Sequence, residues 1–235
     1  MTIRQMKATV REAIDISPTA REVRLSLPEP LSFMPGAFVN VFVTREGKRE
    51  RRAYSISSDY RNQKEIALSI RRGASPTSLS PVFWEKGVED LEVSIMGPLG
   101  LNTAEKINHS KVYLFGFGIG VSVIKSLAQY LLDQEDIEEV IVVLGSRSET
   151  EILYKDFFEL LQEQDVRLKL RFVLSRPEDA AYPYQGYVQD HIEDYDFNDS
   201  TVYLCGQGDA CVTLRAKIEA KHPENVQFLI ESFDS

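Results

Sequence analysis

The sequence is poor in cysteine and in basic charge. Its 235 residues include only two cysteines, Cys205 and Cys211, too few for a disulfide framework or for the four thiolates that an iron–sulfur cluster usually takes. This favours a reducing, cytoplasmic setting. With 27 Lys and Arg against 36 Asp and Glu, the formal net charge is -9, so the chain lacks the basic face that nucleic acid binding requires.

Long apolar runs and clustered histidines are also missing. No apolar stretch approaches the roughly 20 residues that cross a bilayer, and the start of the chain, MTIRQMKATVREAID, is polar and interrupted by charges. His109, His191 and His222 are widely spaced, with no partner at metal-ligand intervals. We therefore expect a soluble protein with no membrane insertion, no export and no metal site.

The first hundred residues alternate between apolar and polar side chains with a period of two. The alternation is clear at residues 23–27, 66–70 and 91–95, and AFVNVFV (37–43) is a more continuously apolar strand. Turn-forming pieces such as LPEP, REGK and RRGASP separate these strands. The pattern is typical of a small antiparallel barrel or sandwich.

Near Gly97 the pattern changes, and strands begin to alternate with helices. KVYLF leads through GFGIG into VSVIKSLAQYLL, whose apolar residues recur at helical spacing, and EVIVVLG leads into ETEILYKDFFELL in the same way. RLKLRFVLS and TVYLC are further strands, the second followed by the helix-like CVTLRAKIEA. This order predicts a parallel sheet covered by helices, with ligands beyond the carboxyl ends of the strands. We expect two domains, residues 1–102 and 103–235.

The motif GFGIG (116–120) lies where a strand leads into a helix. Its glycines would let a phosphate-bearing ligand approach the backbone and the positive end of the helix. However, the spacing is GxGxG and not the dinucleotide fingerprint GxGxxG, and the next strand ends in GSR (145–147) and not in the acid that would hold a ribose hydroxyl. A tight turn without a ligand explains this motif, taken alone, equally well.

A second unusual stretch is RRAYSISS (51–58). As a strand it would send Arg52 and Tyr54 to one face and Ser55 to the other. An arginine beside an exposed aromatic ring suits a flat anionic ligand, because the guanidinium can bind phosphate while the ring stacks on a heterocycle. The alternative is a strand whose arginine faces water, and composition does not separate the two.

Eight short motifs occur in the order found in the ferredoxin-NADP reductase family, which the chain resembles along nearly its whole length. They are PGAFV (35–39), RAYS (52–55), RRGASPTS (71–78), GPLG (97–100), GFGIG (116–120), LSRP (174–177), LCG (204–206) and ESF (231–233). Each is weak alone, but the ordered set is fairly specific. The resemblance implies an antiparallel flavin-binding β-barrel followed by an α/β domain, with a parallel sheet, that binds NAD(P).

In this family the motif Arg-x-Tyr-Ser binds FAD. The resemblance implies that Arg52 holds the flavin phosphate, Tyr54 packs on the isoalloxazine ring and Ser55 hydrogen-bonds near its N5. A straight strand would send Tyr54 and Ser55 to opposite faces, so both roles require the strand to bend or end here. Further phosphate contacts are implied for Arg71, Gly73, Thr77 and Ser78, with Ser80 as an alternative to Ser78.

GFGIG occupies the place of the family's Gly-Thr-Gly-Ile-Ala-Pro, which binds the nicotinamide nucleotide. Phe117 stands where threonine is usual and Val121 where proline is usual, so a hydroxyl near the nicotinamide is lost and the turn is less constrained. The resemblance places the following residues at this nucleotide: Gly116, Gly118, Gly120, Ser175, Arg176, Cys205 and Gly206.

Two of these positions carry finer implications. Ser175 and Arg176 match the pair that receives the adenosine 2′-phosphate in NADPH-using members, which slightly favours NADPH over NADH although two acidic residues follow closely. Cys205 would lie near the nicotinamide carbon that carries the hydride, so Tyr54, Ser55 and Cys205 are the implied catalytic residues. The closing ESF would place Glu231 or Phe233 near the flavin.

The implied activity is hydride transfer from NADPH or NADH to FAD, with electrons passed to an acceptor. No acceptor domain is visible in the sequence, so a separate ferredoxin-like protein or a small molecule is expected. Two alternatives stay open. One is a reductase that releases flavin as a product or reduces quinones, and the other is a diverged flavin- or nucleotide-binding module in which Phe117 and Val121 have abolished hydride transfer.

Overall fold

The computed structural model describes residues 2–45, 47–73 and 79–233. The chain divides into two compact units, Met1–Thr103 and Ala104–Ser235. In the described ranges, no helix has both the length and the apolar character needed to span a membrane.

The first unit is an antiparallel sheet of six strands. The strands are β1 (Arg4–Ser17), β2 (Ala20–Ser26), β3 (Phe38–Arg45), β4 (Lys48–Ser55), β5 (Glu65–Arg71) and β6 (Glu92–Leu99). Their order across the sheet is β4-β3-β6-β1-β2-β5, and a 3-10 helix at Ser80–Trp84 lies between β5 and β6 in the chain. An isolated bridge between Ile56 and Leu68 joins the end of β4 to β5, so the two edge strands meet and the sheet closes into the predicted barrel.

The long strand β1 was not among the strands predicted from the sequence. Only Ala8 and Val10 are fully buried in it, and charged or polar residues occupy most other positions. Its place in the sheet comes from backbone pairing with β2 and β6. Neighbouring strands with stronger apolar alternation therefore supply the core that holds it.

The second unit is a five-stranded parallel sheet with helices, which confirms the predicted α/β domain. Its elements are β7 (Lys111–Phe117), α1 (Val121–Leu132), β8 (Glu139–Ser146), α2 (Lys155–Gln164), β9 (Leu168–Leu174), β10 (Ser200–Gln207), α3 (Gly208–Glu219) and β11 (Val226–Phe233). The strand order across the sheet is β11-β10-β7-β8-β9.

The second helix is shorter than its sequence pattern predicted. The stretch ETEILYKDFFELL begins at Glu149, but α2 begins only at Lys155. A short 3-10 turn, Glu149–Glu151, comes first, and Tyr154 then adopts a left-handed conformation with φ 56. Because a left-handed residue cannot continue a right-handed helix, the apolar periodicity starts before the helix does.

The strand order of the second unit reverses between β7 and β10. From β7 the chain proceeds outward to β8 and β9, then returns to the other side of β7 to form β10 and β11. In open parallel sheets, ligands bind beyond the carboxyl ends of the strands at such a reversal. The residues that follow β7 and β10 are therefore the expected nucleotide site.

Candidate functional site

The stretch RRAYSISS turns away from its strand immediately after Ser55. β4 ends at Ser55, the Ile56 N–H donates to the Ala37 carbonyl at 2.9 Å, and the Ser57 N–H donates to the Ala67 carbonyl of β5 at 2.8 Å. The chain thus changes partner from the β3 side to β5 within two residues. The strand end that the roles implied for Tyr54 and Ser55 require is present.

Arg52 and Tyr54 lie on the face of the sheet that elsewhere forms the core. Arg52 pairs with Val41 and Tyr54 pairs with Val39 across the strands, and both valines are completely buried. Directly opposed residues of an antiparallel pair share a face. Arg52 is nevertheless exposed and Tyr54 only half-buried, so the inner face is open where β4 forms the edge of the sheet.

The Tyr54 ring is held in place by an aromatic contact. It meets the ring of Phe83 edge-to-face, with centroids 6.2 Å apart and planes at 86°. Burial raises the pKa of Tyr54 to about 12, although the nearby positive charge of Arg52 opposes the rise. The phenol is therefore neutral at physiological pH and can donate a hydrogen bond, while the oriented ring offers a surface for a flat ligand.

The polar groups that follow β4 and β5 differ in whether they already have a hydrogen-bond partner within the chain. The Ser58 Oγ is buried without a hydrogen-bond partner in the described ranges, which fits a polar group supplied from outside the chain. In contrast, the Gly73 N–H already donates to the Ser80 Oγ at 2.9 Å, so this predicted phosphate donor has a partner within the chain. Arg71 is exposed at the end of β5. The predicted residues Thr77 and Ser78 lie outside the described residues.

In the second unit, glycines allow close packing between the turn after β7 and the end of β10. A Cβ on Gly120 would lie 2.2 Å from the Cys205 carbonyl oxygen. Gly206, with φ +141, would place a Cβ 2.5 Å from the Phe117 carbonyl oxygen. The sequence interpretation assigned the glycines of GFGIG to the approach of a ligand. At Gly120, the backbone of β10 fills the space that a side chain would need, so packing within the chain also requires glycine here.

The other positions of GFGIG are also set by packing. A Cβ on Gly116 would meet Ile124 of α1 at 2.9 Å. Gly118 has φ +53 and begins a short 3-10 helix, Gly118–Gly120, between β7 and α1. The Phe117 ring lies on the opposite face, where a Cβ on Gly145 would touch it at 3.3 Å. Phe117 packs there against a buried apolar cluster that includes Phe115, Val143 and Val188. The phenylalanine that stands where threonine is usual therefore has a packing role.

Cys205 is completely buried in β10. It pairs with Gly116 of β7 on one side and with Glu231 of β11 on the other. Burial, together with the charge of Glu231, raises the pKa of the Cys205 thiol well above its ordinary value. The sulfur is thus a neutral thiol and not a nucleophilic thiolate. Phe233, the last residue of β11, pairs with Gln207.

Two Ser-Arg pairs lie side by side at the ends of β8 and β9. The Ser175 N–H donates to the Ser146 carbonyl at 3.0 Å, and the Arg176 N–H donates to the Arg147 carbonyl at 2.7 Å. The Ser146 Oγ is buried and lacks a partner in the described ranges. The sequence interpretation noted residues 145–147 only for a missing acid. The repeated Ser-Arg dipeptide at successive strand ends was the signal available for this second pair.

Each of the two units matches the model of a known domain family. The first matches the model of an oxidoreductase FAD-binding domain over residues 7–103, and the second matches that of an oxidoreductase NAD-binding domain over residues 114–210. The chain belongs to the ferredoxin-NADP reductase family. These matches confirm the predicted family and the predicted classes of cofactor, FAD and a nicotinamide nucleotide.

The chain is also similar to individual proteins of known sequence or structure. The chain is 28% identical over 210 residues to the phenol hydroxylase P5 protein of Acinetobacter pittii, covering 87% of this chain and 58% of that protein. It is 27% identical over 182 residues to ferredoxin–NADP reductase B of Sorangium cellulosum, covering 75% and 72%. The crystal structure of the Amycolatopsis cytochrome P450 reductase GcoB matches with a TM-score of 0.84 at 24% identity, covering 99% and 71%. The chain therefore spans little more than half of the first of these relatives.

Proposed function

We propose that this chain is an FAD-dependent NAD(P)H oxidoreductase that passes electrons to a separate acceptor. The observation that carries the proposal is the open inner face at the end of β4, where Arg52 is exposed and Tyr54 is oriented. It lies in the unit that matches an oxidoreductase FAD-binding domain. The unit that matches an NAD-binding domain follows directly in the chain.

The residues at the end of β4 have the chemistry that FAD needs. Arg52 would bind its phosphate, because a guanidinium forms strong, charge-assisted hydrogen bonds with phosphate oxygens. Tyr54 would pack on the isoalloxazine ring, and Ser55 would donate a hydrogen bond near N5. Bound FAD supplies the ability to accept a hydride from a nicotinamide and to release electrons singly or in pairs. Arg71 and Phe233 remain proposed contacts of the flavin.

The contribution of the chain itself would be alignment. The Tyr54 phenol and the Cys205 thiol both have raised pKa values, so neither loses a proton at neutral pH. Tyr54 would fix the plane of the flavin ring, and Cys205 would offer a small neutral side chain beside the nicotinamide. Positioning of two reactants can supply a large part of a rate enhancement without a catalytic acid or base.

The nicotinamide nucleotide would bind where the strand order reverses. Its nicotinamide half would lie at GFGIG and Gly206, and its adenosine half at the ends of β8 and β9. Arg147 and Arg176 are exposed there and take part in no ion pair in the described part of the chain. Two available guanidinium groups beside Ser175 support a preference for NADPH, whose 2′-phosphate they would bind.

The electron acceptor would be a separate molecule. One relative is a phenol hydroxylase protein and another is a ferredoxin–NADP reductase. We therefore propose an oxygenase component or a ferredoxin-type protein as the class of acceptor for this chain.

The visible spectrum of the purified protein tests the proposal. A bound flavin spectrum that bleaches on anaerobic addition of NADPH or NADH is the expected result, and the rates would rank the two donors. Flavin that separates from the protein on gel filtration would favour a reductase with dissociable flavin. Flavin that stays oxidised with both nucleotides would contradict the reductase activity and favour the diverged module. In that case, replacement of Phe117 by threonine and Val121 by proline should restore reduction.

A further inference from the structure

A side chain from the 3-10 turn after β8 holds the loop that follows β9. Both carboxylate oxygens of Glu149 accept the N–H of Glu178, at 3.1 and 2.9 Å, and one of them also accepts the N–H of Asp179 at 3.3 Å. These backbone hydrogen bonds lower the pKa of Glu149. Its carboxylate is therefore charged at neutral pH, and its hydrogen bonds are of the stronger, charge-assisted kind.

The held loop begins immediately after Arg176. On one side, the Arg176 N–H donates to the Arg147 carbonyl at 2.7 Å. On the other side, after Pro177, the Glu178 N–H is held by Glu149. Proline restricts the backbone between these two anchors. The main chain of Arg176 is thus fixed from both directions, although its side chain is exposed.

The contact between Glu149 and the loop also affects which charged groups can pair with Arg147 and Arg176. Three carboxylates, those of Glu149, Glu178 and Asp179, lie within three residues of an exposed arginine in the sequence. None of them forms an ion pair with Arg147 or Arg176 in the described part of the chain. The Glu149 carboxylate is occupied by backbone amides, and the Asp179 carboxylate accepts the Ala181 N–H at 2.8 Å. Two acids are thereby engaged locally, and the guanidinium groups stay available for an external anion.

We propose that Glu149 is a positioning residue for the adenosine end of the nicotinamide nucleotide. It holds residues 177–179 so that Arg176 stays beside Arg147 and the acids of the loop stay away from both. The inference rests on the proposed function, because the paired arginines matter only if this unit binds NADPH or NADH. Release of the loop would let Arg176 move and pair with Glu178. Binding of a 2′-phosphate would then weaken more than binding of the rest of the nucleotide.

The test compares Glu149→Ala with Glu163→Ala in the FAD-loaded full chain. Glu163 is an exposed carboxylate on α2 that makes no hydrogen bond or ion pair in the described ranges, so it controls for the loss of one negative charge. The first readout is hydrogen exchange of the amides of residues 178 and 179 without nucleotide. We expect faster exchange in Glu149→Ala and no change in Glu163→Ala, because only the first variant loses the acceptor of these N–H groups.

The second readout is calorimetric binding of two probes, 2′,5′-ADP and 5′-AMP. Glu149→Ala should bind 2′,5′-ADP about tenfold more weakly, the loss expected when a charge-assisted contact is misplaced, and 5′-AMP with little change. Turnover of menadione at saturating NADPH should be unchanged, since the reacting atoms are not touched. Glu149→Gln, which keeps one acceptor oxygen, should lie between the wild type and Glu149→Ala in both readouts.

Several results would overturn the inference. Unchanged exchange at residues 178 and 179 would show that Glu149 does not hold the loop. Faster exchange with unchanged binding of 2′,5′-ADP would make the contact purely structural. Tighter binding of 2′,5′-ADP by Glu149→Ala would mean that the carboxylate repels the phosphate. Failure of the proposed function is distinct, because the wild type would then bind neither probe and NADPH would not bleach the flavin.

Discussion

The contact between Gly206 and Phe117 gives the sharpest prediction about the nucleotide-binding unit. An alanine at 206 would have to keep φ +141, and its Cβ would lie 2.5 Å from the Phe117 carbonyl oxygen. Gly186 offers a matched control. It has φ +105, but a Cβ there would have no neighbour closer than the Asp190 carboxylate at 3.9 Å. The two substitutions share the strain of a positive φ and differ in the clash.

The expected losses of free energy of unfolding follow from the backbone strain and the clash. A non-glycine residue in a sparsely populated backbone region costs about 1–3 kcal/mol, which both variants would lose in their free energy of unfolding. An atom forced into a filled site costs roughly another 1–3 kcal/mol, and only Gly206→Ala would lose this. Since about 1 kcal/mol shifts the midpoint of a chain of this length by roughly 2–4 °C, Gly206→Ala should melt several degrees below Gly186→Ala.

Thermal unfolding by calorimetry, with flavin absorbance as a second signal, would measure the difference. Gly206→Ala should also slow reduction of the flavin by NADPH, because relief of the clash moves the turn at Phe117, while the flavin itself should stay bound. Equal melting temperatures for the two alanine variants would refute the reasoning, since they would show that the turn after β7 relaxes away from β10 at no cost.

Three further predictions concern other residues. Arg52→Gln should weaken FAD binding by about 10–100-fold, the loss of charge-assisted hydrogen bonds to phosphate, measured by flavin fluorescence, and an unchanged affinity would remove Arg52 from the flavin site. Arg167→Ala should lower the free energy of unfolding by about 2–4 kcal/mol in urea, because the guanidinium donates to three backbone carbonyls around the end of α1. The control is Lys64→Ala, which removes an exposed cation whose side chain makes no hydrogen bond or ion pair in the described ranges, and a loss no larger than in this control would contradict the prediction. Arg167 also lowers the pKa of Asp165, so the stability that Asp165 adds is present above the unfolded carboxyl pKa of about 3.9 and is lost as the pH falls through the lower folded value. Asp165→Asn should therefore flatten the acid limb of the stability profile below pH ~4, and an unaltered limb would show that this pair does not contribute.

Local patterns predicted most elements of this fold where apolar residues were periodic. The helix predicted from VSVIKSLAQYLL is α1, Val121–Leu132, because its apolar positions recur at helical spacing and nothing interrupts them. β1 was missed because its core contribution is two small side chains among charges. The predicted start of α2 was wrong because Tyr154 adopts a left-handed conformation, which the structural preferences of tyrosine do not predict.

The sequence by itself determined the class of this protein. The change from period two to alternating strands and helices, and the order of eight motifs, were enough for two domains, a family and two classes of cofactor. These features are local in the chain, so they can be read without knowing which residues meet. The residues that would contact FAD at Arg52, Tyr54 and Ser55 were likewise named from one continuous stretch.

Tertiary structure alone decided how separate stretches combine. The pairing of Ser146-Arg147 with Ser175-Arg176 depends on the register of two parallel strands, and the requirement for Gly206 depends on the carbonyl of Phe117. The hydrogen bonds that Glu149 accepts from the loop after β9 depend on β8 and β9 ending at the same edge of the sheet. Each is a contact between residues far apart in the chain, and such contacts depend on how separate elements pack together, which a pattern within one stretch does not specify.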